Sequence, residues 1–484
     1  MSLPTPPRLT RRRLLALAGA SALGGLSACL ARAPAPAPSP YGPSGAELAL
    51  LDDLEQRAFR FFWETTDPDT GLAPDRWPTP SFSSVAAIGF ALSAYPIGIE
   101  RGWITREQGR ARVRKTLRFL HDAPQGPQAA GVAGHRGFFY HFLDMTSGTR
   151  FERCELSTVD TALLLAGALH CASWFDTREA HEAEIRWLAE AIYRRVDWRW
   201  AQARGAAISH GWHPESGFIA WDWKGYNEAM LVYLLALGSP THAVGPEAWD
   251  AWTSTYDQHS WGTAYGQTHL RFPPLFGHQF THCWVDFRGL HDAYMRRRGF
   301  DYFENSRRAT YAQQAYAIAN PQGWAGYGHD VWGITACDGP ADVQREFGGR
   351  LRRFASYAGR GMGTNTYDDG TIAPYGAGSS IVFAPEIVVP ALAAMRERLG
   401  AHIHGRYGFF AFNQSFTFGD AKLAHGRIVP GFGWVDTDYL GIEQGPLLAM
   451  LANQRSESVW RAMRGNAHLR RGLQRAGFSG GWLG

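Results

Sequence analysis

The alternation of two kinds of helical segment along most of the chain constrains the fold more than any other feature. Six segments are apolar on all sides, which is typical of buried helices: residues 84–99, 158–175, 227–237, 283–296, 385–398 and 444–453. Amphipathic segments with one charged or polar face alternate with them: residues 47–63, 105–121, 178–195, 246–256, 302–319 and 456–471. Buried helices covered by one-sided helices predict an all-α (α/α)6 barrel with six inner and six outer helices.

Long stretches rich in glycine and aromatic residues separate these segments, at 261–280, 320–339 and 359–378. Loops of this length inside a compact domain are usually functional. The chain has 19 Trp, 28 Phe and 18 Tyr, and many of them fall in the loops rather than at helical spacing. An aromatic-lined cleft is therefore expected.

The first 29 residues have the pattern of an export signal. Thr10-Arg-Arg-Arg-Leu-Leu15 is a twin-arginine pattern, a short apolar run follows, and Leu26-Ser-Ala-Cys29 has the form of a lipobox. This predicts a periplasmic or cell-surface lipoprotein, anchored to a membrane by a lipid on Cys29. Residues 30–45, rich in Pro and Ala, are predicted to form a spacer, and residues 46–484 a single domain.

Charge and cysteine content exclude several classes of partner. The net charge is +4, and residues 1–28 contribute four arginines with no acid, so the remainder is close to neutral and does not favour nucleic acid. The cysteines after Cys29 have no C-x-x-C spacing and are more typical of buried apolar residues than of a zinc site, although one disulfide is compatible with export. We expect no metal and no organic cofactor.

Acidic residues stand near the start of several apolar segments. The inner helices of such a barrel run parallel, so these acids are expected to converge at one end: Glu155, Asp160, Glu228, Asp286, Glu386 and Glu443. Acids also favour helix N-termini as caps, which is the alternative explanation for Asp160 and Glu386. Asp286 is expected to form an ion pair with Arg288.

Among these acids, Glu228 stands between a run of aromatic residues and an apolar helix. It follows Trp221-Asp-Trp-Lys-Gly-Tyr-Asn and precedes an apolar helix. A carboxyl group pressed against apolar rings loses solvation, which raises its pKa toward the value that a general acid needs near neutral pH. Because sugars stack on aromatic faces, this pattern predicts that Glu228 protonates a glycosidic oxygen.

Several motifs together resemble the glycoamylase-like domain of bacterial carbohydrate enzymes and its relatives in glycoside hydrolase family 144. They include GFFYHFLD at 137–144, ELSTVDT at 155–161, GYNE at 225–228, FGHQ at 276–279 and EQGP at 443–446. The resemblance covers nearly all of residues 46–484. It implies an (α/α)6 catalytic domain that hydrolyses a β-glucan, most directly β-1,2-glucan, with inversion.

The resemblance also implies roles for individual acids. The glutamate of the family's Gly-Tyr-Asn-Glu motif falls on Glu228, and the acid before Gln-Gly-Pro falls on Glu443. The acidic entrance to the second inner helix falls on Glu155 to Asp160, where this chain has Cys-Glu-Leu-Ser-Thr instead of a Gly- and Asp-rich turn. We expect Glu228 to be the acid and Glu443 the base, with Glu155 or Asp160 binding sugar hydroxyls or assisting.

The expected partner is an oligosaccharide or polysaccharide, and the sequence does not define the oligomeric state. Flat aromatic rings cover the C–H face of a pyranose while polar groups bind its hydroxyls, although each ring also suits ordinary packing. The candidate substrate-binding residues are Trp212, Trp221, Trp223, Tyr226, Trp261, Tyr265, His278, Gln279, Trp324 and Trp332.

Three other functions fit the same pattern. A glucan transglycosylase would transfer the glycosyl group to a sugar instead of water. A polysaccharide lyase would need cations and a base around a uronate, and Arg288, Arg307, Tyr226 and His278 are the residues available for it. A non-catalytic glycan-binding lipoprotein would need the cleft but not Glu228 and Glu443.

Overall fold

The computed structural model describes residues 41–363 and 366–484. The predicted twin-arginine segment, the lipidation site at Cys29 and residues 30–40 of the predicted spacer lie outside the described residues. Within the described part of the chain, no helix has the length and hydropathy that a membrane span requires.

The fold is mostly helical, as expected from the sequence. The described residues form fourteen α-helices: α1 (Gly45–Thr65), α2 (Val85–Glu100), α3 (Arg106–Asp122), α4 (Thr158–Trp174), α5 (Ala180–Arg194), α6 (Met230–Gly238), α7 (Glu247–Thr253), α8 (Ala293–Arg298), α9 (Tyr302–Ala319), α10 (Pro374–Gly378), α11 (Pro385–Ile403), α12 (Gly441–Ser456), α13 (Ser458–Arg464) and α14 (Ala467–Arg475).

The apolar helices form the core. Every residue of α6 is buried, as are residues 85–98 of α2, and α12, α2, α4 and α6 contact one another in that order. Helices α2 and α4 touch backbone to backbone, since a Cβ atom on Gly167 would lie 2.0 Å from the carbonyl oxygen of Gly89. Amphipathic helices α1, α3 and α5 cover this layer, each burying only one face.

The structure differs from the predicted segments in three places. Residues 283–296 do not form one helix: a 3₁₀ turn ends at Cys283, and α8 begins only at Ala293. The intervening chain turns because Asp286 accepts hydrogen bonds from the backbone and side chain of Arg288, and Gly289 adopts a left-handed φ of 74°.

The other two differences concern α10 and the last outer segment. Buried α10, which was not predicted, packs beside α12 ahead of the predicted segment that forms α11. Residues 456–471 are divided between α13 and α14, because Asn466 leaves the helix and caps α14 through its side chain. The helical class is confirmed, while closure into six inner and six outer helices stays a prediction.

Twenty short strands form nine antiparallel sheets of two or three strands within the described residues. They are β1 (Arg76–Trp77), β2 (Ser83–Ser84), β3 (Gly134–His135), β4 (Phe138–Phe139), β5 (Phe142–Leu143), β6 (Leu156–Ser157), β7 (Gly211–His213), β8 (Gly217–Phe218), β9 (Trp261–Ala264), β10 (Gln267–Leu270), β11 (Ala336–Asp338), β12 (Val343–Phe347), β13 (Arg350–Phe354), β14 (Tyr357–Gly359), β15 (His404–Gly405), β16 (Gly408–Phe409), β17 (Phe412–Asn413), β18 (Arg427–Val429), β19 (Gly433–Val435) and β20 (Tyr439–Leu440).

These sheets fix the N-terminal ends of the buried helices. Strands β2, β6 and β20 run directly into α2, α4 and α12. Ser84 and Ser157, the last residues of β2 and β6, cap the following helices by accepting hydrogen bonds from the backbone N–H groups of Ala87 and Asp160. The described cysteines are free thiols, and all but Cys154 are buried.

Candidate functional site

The N-terminal ends of buried helices meet at one cavity of about 170 Å³. Its wall contains residues of α4, α10 and α12, together with Glu228, which lies two positions before α6. A ring of parallel inner helices predicts such a meeting of helix ends. The lining residues are His141, Val159, Asp160, Leu163, Glu228, Phe276, Phe280, Ala336, Tyr357, Tyr375 and Ile442.

Glu228 faces this cavity from the start of α6. Its Oε2 is buried and has no hydrogen-bond partner among the described residues. Burial, and to a smaller extent the negative charge of Asp160, raises the pKa of Glu228 to about 7. Near neutral pH the group is therefore present in both protonation states, as a proton donor requires.

The aromatic residues before Glu228 shape its loop rather than the cavity. Trp223 is buried, stacks on His210 with ring centroids 3.6 Å apart, and donates its Nε1–H to Thr158 at the start of α4. Tyr226 is buried against His278. By contrast, 71% of the surface of Trp221 is exposed.

His141 joins two of the predicted acids. Its Nδ1 lies 2.7 Å from Oε1 of Glu155, and its Nε2 lies 3.5 Å from Oδ1 of Asp160. Burial alone would lower the pKa of His141, but Asp160 and Glu155 outweigh it and raise the pKa to about 9. The sequence reasoning missed this imidazolium, although His141 lies within the motif at 137–144.

Glu443 lies in the first turn of α12, next to Ile442 of the cavity wall. It is buried, and its Oε1 has no hydrogen-bond partner among the described residues. Burial, followed by the neighbouring charges of Asp338 and Asp436, holds the pKa of Glu443 well above its usual range. These surroundings therefore favour the protonated form of Glu443 more strongly than water does.

An acidic cluster surrounds Glu443. We use that name for Asp75, Asp338, Asp436, Asp438 and Glu443, all of them buried. Besides Glu443, three of these residues each keep one buried carboxyl oxygen without a partner in the described structure. Burial raises the pKa of Asp338 to about 7 and that of Asp436 well above its usual range.

Arg76 is the arginine at the centre of the acidic cluster. Its Nη1 lies 2.6 Å from Oδ2 of Asp338 and 3.9 Å from Oδ2 of Asp438, and its Nε lies 3.2 Å from Oδ2 of Asp75. One guanidinium cannot neutralise five ionised carboxylates, so the cluster retains protons.

The same region contains the group of described residues best spaced for a metal ion. Ligand atoms of Asp338, His425 and Asp438 all lie within 4.8 Å of one another. Nη1 of Arg76, however, lies 3.2 Å from Nδ1 of His425 and 2.6 Å from Asp338. The guanidinium thus provides the positive charge that a cation would bring to these carboxylates.

None of the predicted substrate-binding residues lines the Glu228 cavity, among the residues that the structure describes. His278 donates its Nε2–H to the carbonyl oxygen of Phe272 and accepts from Tyr226 Oη at Nδ1, and Gln279 donates to Gly376 and Ser380. Six of the ten side chains are buried: Trp223, Tyr226, His278, Gln279, Trp324 and Trp332.

Four of the predicted binding residues are more accessible. Trp221 is exposed, Trp212 packs beside His135, and Trp261 is covered by the guanidinium of Arg298 at 4.0 Å from its ring centroid. Tyr265 lines a separate cleft.

The remaining predicted acids are engaged elsewhere. Asp286 pairs with Arg288 at 2.8 Å, as expected, and Glu386 pairs with Arg307 at 2.6 Å. None of these four residues lines the cavity. The two arginines considered for a lyase therefore already have carboxylate partners.

Comparison with known proteins agrees with this geometry. The chain is 26% identical over 468 residues to an exo β-1,2-glucooligosaccharide sophorohydrolase (non-reducing end) of Parabacteroides distasonis. The alignment covers 88% of this chain and 57% of that relative, so the chain spans little more than half of its length.

Solved structures show the same fold. An endo-β-1,2-glucanase from Chitinophaga pinensis, in complex with sophorotriose and glucose, superposes with a TM-score of 0.76 at 26% identity, over 91% of this chain and all of that one. A Bacteroides fragilis protein described as a "putative glucoamylase" gives 0.77 at 28% identity, over 91% and 100%. The Glycoamylase family model, of the same description, matches residues 220–467. Because this match spans more than half of the sequence, the chain belongs to the Glycoamylase family.

Proposed function

We propose that the chain is a glycoside hydrolase that cleaves β-1,2-glucan by carboxyl general acid and base catalysis. The observation that carries the proposal is the Glu228 carboxyl group, with a pKa of about 7, in a cavity where the buried helices begin. The named activities of the similar proteins support the linkage. We also propose that the helices close into an (α/α)6 barrel around this cavity.

In this proposal Glu228 is the general acid. Its proton passes to the glycosidic oxygen as the bond from that oxygen to the anomeric carbon breaks, which leaves Glu228 ionised. The buried Oε2 and the nearby rings of Phe276 and Phe280 exclude water and favour the protonated form beforehand.

Glu443 is the proposed base, acting with the acidic cluster. Inversion needs a carboxylate that takes a proton from water as the water oxygen attacks the anomeric carbon. Burial and the neighbouring acids favour the protonated form of Glu443, so in this proposal Glu443 acts as the base in its ionised form. Asp338, whose pKa of about 7 leaves it in both protonation states near neutral pH, is the acid of the cluster proposed to exchange a proton with it.

Glu155, Asp160 and His141 are proposed to bind sugar hydroxyls. Asp160 and His141 line the cavity, and Glu155 is held against His141. An imidazolium between two carboxylates presents a donor and acceptors side by side, which matches the hydroxyls of a pyranose ring.

The proposal is tested by exposing linear and cyclic glucans of defined linkage to wild type and to Glu228→Gln. Wild type should release new reducing ends from β-1,2-glucan, with inverted anomeric configuration in the first products. The substitution removes the proton donor and should lower kcat by about 10²- to 10⁴-fold. Glu386→Gln is the matched control, because Glu386 also lies near the start of a helix but pairs with Arg307 outside the cavity.

Other outcomes identify the alternatives. Activity retained by Glu228→Gln on every glucan that wild type cleaves would refute the acid assignment. Longer glucans among the products indicate a transglycosylase, and an unsaturated product that absorbs in the ultraviolet indicates a lyase. Glucan binding by wild type without new reducing ends indicates a non-catalytic binding protein.

A further inference from the structure

A second cleft, of about 560 Å³, lies between the β9–β10 hairpin and the loop that follows β14. Its lining combines apolar and polar side chains, as sugar sites do. Tyr265, Phe272 and Met362 provide the apolar surface, and His259, Thr263 and Arg271 add hydrogen-bonding groups.

The walls of this cleft are held by backbone and ionic contacts. Met362 N–H donates to the carbonyl oxygen of Pro273 at 3.2 Å, which joins the two sides. The fully buried Arg360–Asp369 ion pair, with Nε 2.7 Å from Oδ1, fixes the ends of the loop. At the hairpin turn Tyr265 adopts a left-handed φ of 46° and sets its ring edge-on against Tyr316.

The cleft is a neighbour of the Glu228 cavity. Phe272 lines the cleft and Phe276 lines the cavity, and their ring centroids lie 5.5 Å apart. The chain from Phe272 to Phe276 advances four residues, which corresponds to at most about 14 Å when extended. A second connection runs from Tyr357, in the cavity wall, to Met362, in the cleft. The two spaces are therefore adjacent, within the length of a short oligosaccharide.

The sizes of the two spaces also favour a shared ligand. Sites that enclose a drug-sized molecule measure roughly 300–1,000 Å³. The Glu228 cavity, at about 170 Å³, is smaller than this range, whereas the cleft lies within it. A substrate of several sugar units must extend beyond the cavity.

We propose that this cleft binds neutral glucosyl units of the substrate that lie away from the bond being cleaved, and so sets a preference for longer glucans. The inference rests on the proposed function. The rings of Tyr265 and Phe272 would cover the C–H faces of the sugar, and Arg271 and His259 would donate to its hydroxyls.

The test compares kcat/KM for long and short β-1,2-gluco-oligosaccharides. Tyr265→Ala should lower the ratio of long to short by about tenfold, the effect of losing one aromatic contact, and Tyr265→Phe should restore most of it. Trp187→Ala is the control, since Trp187 is 58% exposed on the outer helix α5 and should leave the ratio within twofold of wild type. A ratio unaltered in Tyr265→Ala, or reduced equally in Trp187→Ala, overturns the proposal.

Calorimetry with β-1,2-glucan gives an independent readout in the Glu228→Gln background. Adding Tyr265→Ala should weaken binding of long chains about tenfold, and equal affinity overturns the proposal. If wild type cleaves no glucan, the proposed function fails, and this comparison still decides whether the cleft binds sugar.

Discussion

Glu228 and Glu443 are both buried carboxyl groups, but different neighbours set their protonation. Glu228 faces Phe276 and Phe280 with Asp160 as its charged neighbour, and its pKa of about 7 keeps it near the midpoint of titration. Glu443 lies among acids, which hold its pKa well above the usual range. The first group can donate a proton at neutral pH, whereas the surroundings of the second disfavour the ionised form that a base needs.

The pH dependence of activity should report the protonation of Glu228. Because its pKa is raised by burial and by Asp160, kcat/KM should fall about tenfold per pH unit above about 7, where the proton is lost. Asp160→Asn removes the negative charge and should move this alkaline limb to lower pH. Pre-steady-state or steady-state profiles from pH 5 to 9 check it, with Glu386→Gln as the variant whose limb should not move.

If the alkaline fall of kcat/KM occurs at the same pH in Asp160→Asn as in wild type, a group other than Glu228 controls that fall. The cluster acid Asp338, whose pKa is also about 7, is the next residue to test.

Local sequence pointed to Glu228, although the rings that share its cavity are Phe276 and Phe280 rather than the aromatic residues before it, and it gave no sign of the acidic cluster. The aromatic approach and the apolar helix that follows Glu228 are contiguous with it. Asp338 and Asp438 come from two segments far from Arg76 in the sequence, and only the fold brings them to the guanidinium of Arg76, which also pairs with its neighbour Asp75. Arg76 and His141 were also missed. Arg76 pairs with residues remote in the sequence, and the motif that contains His141 gave no sign of its charge.

At the scale of elements, α2 and α4 form one of the close helix contacts of the core. Gly89 and Gly167 face each other across it, so that each helix backbone lies where a side chain would otherwise be. Because α4 carries Asp160 into the cavity wall, this contact also fixes one side of the site.

Gly167→Ala should therefore destabilise the protein. The new methyl group would meet the carbonyl oxygen of Gly89 at 2.0 Å, and the helices must separate to admit it. We expect the free energy of unfolding to fall by about 1–3 kcal/mol, measured by urea denaturation. Gly45→Ala is the control: it is also helical, its Cβ would meet no atom within 4 Å, and its effect should stay within about 0.5 kcal/mol. Equal stability of the two variants would contradict the close contact.

Helical periodicity predicted the long elements and failed where side chains interrupt the backbone. Helices α2, α4, α5 and α9 match their predicted segments within a few residues. Segment 283–296 is apolar enough to resemble a buried helix, but the hydrogen bonds between Asp286 and Arg288 turn the chain there. Such local pairing competes with helix formation and is invisible in apolar spacing.

At the scale of the whole molecule, residues 43–484 form one compact unit. The cavity, the acidic cluster and the second cleft all belong to it. The proposed export signal and lipid anchor concern residues 1–29, which lie outside the described residues. Location and activity should therefore be separable.

Cys29→Ser tests that separation. Without the proposed lipidated thiol, the exported protein should move from the membrane fraction to the soluble fraction after cell lysis, because lipid insertion supplies its attachment. Its activity on β-1,2-glucan should match that of wild type. Ala28→Ser, a change of similar size at the neighbouring position, serves as the comparison. Wild type found in the soluble fraction would contradict the anchor.

The positive charge within the acidic cluster belongs to a side chain of the protein, Arg76. Since Arg76 is covalently part of the chain and stays protonated throughout the physiological range, its positive charge cannot be extracted by a chelator or diluted away. The electrostatic balance beside Glu443 is thus independent of which ions the surroundings supply.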